Sequence, residues 1–210
     1  MTITKVMLAL LLAALMAGIP PELGHARADD GLEEHVAFKN LENGGYVLVM
    51  RHAHSRSGQE SSSAVSAGCI LDPGRGLDER GRRQVSLWQD FMERENIPVA
   101  KAYTSNRCRA WDTARALSSA VEPHPSQTTT DSAAIAAFKK QIEAELRDQP
   151  GVNIALVSHS NIAPLYGAKV RPGERELPEG VMSVIDPASW STIARIAIRD
   201  AEDGPRVTVD

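Results

Sequence analysis

Short apolar runs recur along this chain, and three segments between them have the period of a helix. Residues 46–50, 99–104 and 152–158 are β-prone runs with the length of strands in a parallel sheet. Residues 181–185 and 192–199 are typical of two final strands, the second of which alternates apolar and polar positions. We therefore expect three parallel strands, to which a final pair could add in antiparallel fashion.

The helical segments each follow a residue that is a good N-cap. After Asp78, Ser105 and Asp131, apolar side chains recur every three or four positions, as in a helix with one buried face. The predicted helices end near residues 94, 120 and 148. Strands that alternate with helices favour an α/β fold, here a three-layer α/β/α sandwich around a mainly parallel central sheet.

A separate apolar run lies near the N-terminus. Residues 6–19 are too few for a comfortable membrane span but have the length of a signal-peptide core, and Ala26 and Ala28 are the small residues that a signal peptidase needs. We expect cleavage after Ala28, which leaves residues 29–210 as a single domain in the periplasm or secreted. An uncleaved N-terminal anchor is the alternative. No other run is long enough to hold the mature protein in a membrane.

Charge and cysteine content narrow the class of protein. The formal net charge is −4, and because nucleic-acid binding needs a basic surface, no nucleic-acid partner is expected. The two cysteines are Cys69 and Cys108. Export favours a disulfide between them, which would fix the predicted serine- and glycine-rich loop of residues 55–76, while two buried free thiols are the alternative.

Cationic and imidazole side chains follow each of the three predicted parallel strands. Arg51 and His52 come directly after the first strand. Arg109 lies shortly after the second strand, and His159 directly after the third. The carboxyl ends of parallel strands meet at one edge of a sheet, so these side chains are expected to lie close together. Because arginine binds phosphate through a planar fork and neutral imidazole is a nucleophile, we predict a phosphate pocket with a histidine directed at phosphorus.

Four segments in chain order resemble motifs of the histidine phosphatase superfamily, the phosphoglycerate-mutase-like group. RHA at residues 51–53 resembles the family's Arg-His-Gly, and LDERGRRQ at residues 77–84 resembles its Leu-Thr-x-x-Gly-x-x-Gln. SNRCRAWDTA at residues 105–114 resembles its Ser-Pro-x-x-Arg-Ala-x-x-Thr-Ala, and VSH at residues 157–159 resembles the strand end with its second histidine. The resemblance implies a phosphoglycerate-mutase-like fold and is greatest to the small exported branch.

The resemblance also implies a role for each matching residue. His52 would attack phosphorus and become phosphohistidine, which water then hydrolyses. Arg51 and Arg109 would hold the phosphoryl oxygens, and His159 would stabilise the transition state. Ser105, at the expected helix start, could add backbone donors near the bound anion. No metal ion or other cofactor is implied, because phosphoryl transfer needs mainly positioning and charge stabilisation.

The chain departs from the family pattern in its acid. The usual glutamate between the arginine of the third motif and the second histidine is not evident, and the candidates are Asp131, Glu143 and Glu174. Asp131 is also the predicted helix cap, and Glu174 is also a candidate substrate contact. If no acid is present, substrates with good leaving groups are favoured, since a poor leaving group needs protonation. Ala53, where the family usually has glycine, is a milder change.

Two further residues have no assigned family role. Arg107 is either solvated or directed at the substrate. His54 shares a strand face with His52, so a metal site with His159 as third ligand is an alternative, although the flanking arginines would repel a cation.

The expected activity is hydrolysis of a small phosphorylated molecule, a phosphomonoester, by an exported phosphatase. A phosphohistidine or a phosphorylated lipopolysaccharide sugar is an alternative substrate. A catalytically silent anion-binding protein on the same fold is the alternative from another class. No stable membrane association is expected after signal cleavage.

Overall fold

The computed structural model describes residues 40–56, 75–199 and 206–209, which all fall in one unit, Glu33–Asp210. The expected signal segment, residues 1–28, lies outside these ranges, so its cleavage stays a prediction. No helix within the described ranges is long and apolar enough to cross a membrane.

A mixed sheet forms the centre of the fold. Its strands are β1 (Val47–Arg51), β2 (Val99–Thr104), β3 (Val121–Pro123), β4 (Asn153–Ser158), β5 (Val181–Asp186), β6 (Ser191–Arg199) and β7 (Arg206–Val209). They lie in the order β3-β2-β4-β1-β5-β6-β7. The strands from β3 to β1 pair in parallel, and β5, β6 and β7 continue the sheet beyond β1 through antiparallel pairings.

The strand predictions are confirmed for five of the seven strands: the parallel strands β1, β2 and β4, and the antiparallel pair β5 and β6. The sequence did not indicate β3, which is three residues long and ends in proline, or β7, which has four residues. Strands this short carry no recognisable alternation, and they form because a neighbouring strand offers unpaired backbone groups. The predicted α/β class is confirmed.

Besides helical residues 40–42, three α-helices lie wholly within the described residues: α1 (Glu79–Arg94), α2 (Cys108–Ala114) and α3 (Ser132–Asp148). Asp78 caps α1 as predicted, because its carboxylate accepts the backbone N–H of Gly81 at 2.9 Å. Asp131 caps α3 in the same way, with Ala133 as the donor at 2.9 Å. Both caps satisfy backbone donors that the first helical turn leaves unpaired.

The predicted helix after Ser105 is wrong at both ends. The chain stays extended at Arg107, so α2 begins only at Cys108, and it ends at Ala114 rather than near Ala120. Ser105 is therefore too far upstream to cap the helix. Its buried hydroxyl is used elsewhere, 3.0 Å from Nε2 of His159.

The helices cover both faces of the sheet, which confirms the three-layer arrangement. Leu48 and Met50 of β1 pack in one apolar cluster with side chains of α1 and α2. Val47 and Val49, which alternate with them, pack in a second cluster with α3 and the 3-10 helix Ala163–Tyr166. This alternation is the strand period of two, so β1 is buried on both faces.

The strand register decides which residues meet at the carboxyl end of β1. Arg51 is paired with Ser158, the last residue of β4, so the histidines that follow the two strands leave the sheet side by side. The antiparallel β5 begins at this same edge, and the N–H of Gly180 donates to the carbonyl oxygens of Arg51 at 3.2 Å and His52 at 3.0 Å. The segment before β5 is thereby brought to the predicted site.

We predict that Gly81→Ala destabilises the protein, although alanine normally favours a helix. A Cβ at this position in α1 would overlap the carbonyl oxygen of His54, a backbone atom that cannot swing away. We expect a loss of about 1–3 kcal/mol in the free energy of unfolding, as for other overpacked sites. Ser86→Ala, on the exposed side of the same helix, is the control and should change stability by less than about 0.5 kcal/mol. If Gly81→Ala and the wild type had equal free energies of unfolding in urea denaturation, the predicted clash would be wrong.

Candidate active site

His52 lies directly after β1, and only 2% of its surface is exposed. Its Nδ1 is 2.8 Å from the carbonyl oxygen of Ala53. A carbonyl oxygen only accepts, so Nδ1 carries the proton and Nε2 of the neutral ring has a lone pair. Nε of Arg109 donates to this Nε2 at 3.2 Å. The backbone thus fixes the tautomer in which Nε2 of His52 keeps its lone pair, with Arg109 beside this nitrogen.

The first turn of α2 is attached to the loop that carries His52. The N–H of Ala53 donates to Oγ1 of Thr113 at 2.9 Å, and this hydroxyl donates to the carbonyl oxygen of Arg109 at 2.7 Å. Thr113 and Arg109 are four positions apart and share a face of the helix. Through these two hydrogen bonds the Thr113 hydroxyl connects the backbone after His52 to the backbone of Arg109. The His52 ring and the Arg109 guanidinium are therefore positioned together.

His159 completes a pair of imidazoles, because β4 ends beside β1. The ring centroids of His52 and His159 are 5.3 Å apart, and the ring planes are inclined by 66°. Nε2 of His159 is 3.0 Å from the Ser105 hydroxyl. The structure thus brings four of the predicted residues, His52, Arg109, His159 and Ser105, into one cluster, although Ser105 contributes a hydroxyl contact rather than a helix cap.

Burial and neighbouring arginines keep both imidazoles neutral. Burial lowers the pKa of His52 well below its ordinary value, and Arg109, His159 and Arg51 lower it further, against the opposing hydrogen bond to Ala53. Burial, and then the charges of Arg109 and Arg107, lower the pKa of His159 to about 4. Arg107 therefore acts on the cluster electrostatically. The site is a cationic pocket in which the histidines contribute lone pairs, not charge.

Arg51 lies beside this cluster, but its guanidinium is held by the segment before β5. Its Nη1 donates to Glu176 at 2.6 Å and to the carbonyl oxygen of Leu177 at 2.9 Å, and its Nη2 is 3.4 Å from Glu179. Its buried Nε has no hydrogen-bond partner among the described residues. Two carboxylates thus hold the outer end of an arginine that was predicted to hold phosphate.

The acids named from the sequence lie outside the histidine cluster. Asp131 caps α3, and in the described part of the chain no hydrogen bond or ion pair joins it to either histidine. Glu143 accepts from the indole of Trp190 at 2.7 Å. Glu174 accepts from Arg195 at 2.8 Å and from the N–H of Arg171 at 3.0 Å, two bonds that hold its pKa below the ordinary value although burial alone would raise it.

Sequence reasoning missed Glu179, the carboxylate that does lie at the cluster. Its Oε1 is 3.9 Å from Nδ1 of His52, and its Oε2 is 3.8 Å from Nε2 of His54. The sequence did contain a signal for Glu179, because this residue directly precedes the predicted antiparallel strand at residues 181–185. If that strand pairs with β1, its first residues must lie beside His52.

His54 belongs to a hydrogen-bonded network that connects α1 to the site. Its Nδ1 is 2.7 Å from Oδ2 of Asp78, and its backbone N–H donates to Gln84 at 2.8 Å. Asp78 and Gln84 are both on the LDERGRRQ segment, so the second motif is hydrogen-bonded to the segment that carries the first. In the described ranges no group of three or more histidine, cysteine or acidic side chains could hold a metal ion.

The predicted disulfide is not tested, because Cys69 lies outside the described residues. Cys108 is the first residue of α2 and is buried, directly before Arg109. The bridge therefore stays a prediction. Because Cys108 directly precedes Arg109, such a bridge would restrain the backbone next to an arginine of the cluster.

The comparison with known families agrees with this geometry. Residues 47–134 match the model of the histidine phosphatase superfamily (branch 1). This segment, 88 of the 210 residues, is similar to the histidine phosphatase superfamily. The matched range contains the first three of the four sequence motifs, and the strand end with His159 lies beyond it. No curated protein sequence matches the chain significantly.

One solved structure supports the fold, and two others are more distantly similar. The putative phosphohistidine phosphatase SixA from Agrobacterium tumefaciens is 18% identical, with a TM-score of 0.50 over 73% of this chain and 97% of that chain. The protein histidine phosphatase SixA complexed with tungstate is 20% identical, with a TM-score of 0.42 over 79% and 94%. A phosphoglycerate mutase from Thermus thermophilus is 16% identical, with a TM-score of 0.44 over 73% and 99%.

The lowered pKa of His159 predicts a loss of stability in acid. The ring titrates near 6.5 in the unfolded chain and at about 4 in the folded protein. Between these values the unfolded chain binds more protons, so the free energy of unfolding falls as the pH falls. Thermal unfolding in phosphate-free buffer from pH 7 to pH 4 should show this decrease, and His159→Gln should reduce its slope. An unchanged slope in the variant would show that His159 titrates normally in the folded state.

Proposed function

We propose that this protein is a phosphatase that hydrolyses phosphorylated small molecules through a phosphohistidine at His52. The observation that carries the proposal is the His52 tautomer: Nδ1 is committed to the Ala53 carbonyl, which leaves the Nε2 lone pair beside Arg109. A ring that stays neutral through burial is a ready nucleophile at neutral pH. In the reaction, Nε2 forms a bond to phosphorus as the leaving group departs, and water then displaces the imidazole.

The charges around His52 suit a phosphoryl group in transfer. Arg109 already donates to the reactive nitrogen, so an arriving phosphoryl oxygen takes over a donor that is in place. Arg51 and Arg107 add positive charge close to the two imidazoles. The negative charge of a bound phosphate would raise the pKa of His159 from about 4 and make this ring a better hydrogen-bond donor to the transition state.

The position of Glu179 bears on the leaving group. Its carboxylate approaches His52 from the Nδ1 side at 3.9 Å, whereas the leaving group departs from phosphorus on the Nε2 side. Glu179 is therefore poorly placed to protonate a leaving group. We infer a preference for substrates that need little protonation, such as aryl phosphates or a phosphohistidine, over alkyl phosphates.

The proposal predicts a covalent phosphohistidine at His52. Rapid acid-free quenching with a labelled aryl phosphate should trap a modification that is labile in acid, and His52→Ala should abolish it and lower turnover by several orders of magnitude. His124→Asn is the control, since this ring stacks on Phe138 outside the cluster and should leave both measurements unchanged. Normal turnover by His52→Ala would refute the mechanism. Phosphate binding without turnover in the wild type would identify a silent anion-binding protein.

We also propose that the protein is exported and that Cys69 and Cys108 form a disulfide. Residues 6–28 support a cleavable signal, and a bridge across a loop of about 40 residues would contribute about 3–4 kcal/mol by restricting the unfolded chain. Mass spectrometry of the periplasmic protein should give an N-terminus at Asp29, and thiol counting after denaturation without reductant should find no free thiol. Two free thiols per chain would exclude the bridge, and an intact N-terminus would exclude cleavage.

A further inference from the structure

Arg195 is a buried arginine with donors that the protein does not use. It lies on β6 with 6% of its surface exposed, and its Nη2 donates to Glu174 at 2.8 Å. Among the described residues, its Nε and Nη1 have no hydrogen-bond partner. Leaving a charged donor buried and unpaired is costly, so such a group calls for a ligand.

The residue opposite Arg195 has the same property. Ser183 on β5 faces Arg195 across the antiparallel pair, where side chains stand about 5 Å apart at Cβ. Its hydroxyl is fully buried and likewise lacks a partner within the described ranges. Three unpaired polar atoms on two facing side chains form a polar spot in an otherwise apolar part of the sheet.

A cavity of about 520 Å³ lies next to this spot, with Arg195 but not Ser183 in its wall. Arg195 forms part of its wall, and α1 contributes Arg80 and Arg83 while the loop before β5 contributes Arg171. The acidic residues in the wall are Glu174 and Glu179, so four guanidinium groups face two carboxylates. The net charge of the lining favours an anionic occupant.

The contact with Glu174 shows that Arg195 binds an oxyanion in this position. Its carboxylate, on a loop with a quarter of the side chain exposed, binds one part of the guanidinium. Nε and Nη1 are enclosed, so an oxyanion from solution would reach Arg195 by taking the place of this carboxylate at Nη2. Arginine binds carboxylate and phosphate oxygens with the same planar arrangement of donors.

The cavity is distinct from the site at His52. Arg195 and Val49 both pair with Ser183, so Arg195 lies two strands away from β1, about 10 Å across the sheet. Gly180, whose N–H donates to the carbonyl oxygen of His52, belongs to the wall of the cavity, whereas His52, Arg109 and His159 do not. A ligand at Arg195 therefore does not reach Nε2 of His52.

We propose that this cavity is a second anion site, in which Arg195 binds the phosphate-like oxyanion of a small molecule. Because the proposal concerns binding at a separate place, it does not depend on the phosphatase activity. Glu179 lies in the wall of the cavity and also contacts Arg51. A ligand in the cavity would therefore contact a residue next to the histidine cluster without taking part in the reaction at His52.

Calorimetric titration with inorganic phosphate tests the second site. The wild type should bind two phosphates per chain, and Arg109→Met, which weakens the site at His52, should retain one. In this Arg109→Met background, Arg195→Met should weaken the remaining binding at least tenfold. Arg147→Ala, which removes an exposed arginine of α3 outside the cavity, is the matched control and should have no effect.

Loss of all phosphate binding in Arg109→Met, or unchanged binding after Arg195→Met, would overturn the proposal. Circular dichroism checks that Arg195→Met is folded. If it is not, the pair Arg80→Ala and Arg83→Ala serves instead, because both side chains are exposed at the rim and their loss should weaken the second phosphate severalfold. Unchanged affinity in that pair would equally refute the site.

Discussion

The pairing of β1 with two neighbours of opposite direction is the constraint on which the site depends. β4 runs parallel to β1, so both strands end at one edge and deliver His52 and His159 to it. β5 runs antiparallel to β1, so it begins at that edge and delivers Glu176 and Glu179. A purely parallel sheet would have brought only strand ends together. The mixed pairing is what places carboxylates beside the arginine of the first motif.

Burial disfavours the protonated form of the two histidines, and the nearby arginines favour a bound anion. His52 and Arg109 are almost fully enclosed, and desolvation together with the arginine charges keeps both histidines neutral. The remaining charge is that of guanidinium groups, which cannot lose a proton. In the proposed reaction, binding of a phosphoryl group would relieve this concentration of charge, and the arrangement that costs folding free energy would then stabilise the transferred group.

Arg51 and Arg195 illustrate two ways of keeping a guanidinium in a fold. Arg51 is held by Glu176, Glu179 and a carbonyl oxygen, so most of its donors are satisfied by the chain itself. Arg195 has one carboxylate and keeps two donor groups unpaired next to a cavity, as far as the described residues extend. The first arrangement orients an arginine beside the histidine cluster, while the second is the one to which we assign the proposed anion site.

The sequence by itself determined the strands and helices with long apolar periods, the caps at Asp78 and Asp131, and the meeting of His52, Arg109 and His159, because periodicity, capping and parallel strand ends are local or follow from the fold class. It did not determine the start of α2, where the extended chain at Arg107 frees the Ser105 hydroxyl for His159. Tertiary structure alone decided the partners of Arg51, which come from residues more than a hundred positions away through the pairing of β5 with β1. The same holds for the cavity at Arg195, since long-range strand order has no local signature in the chain.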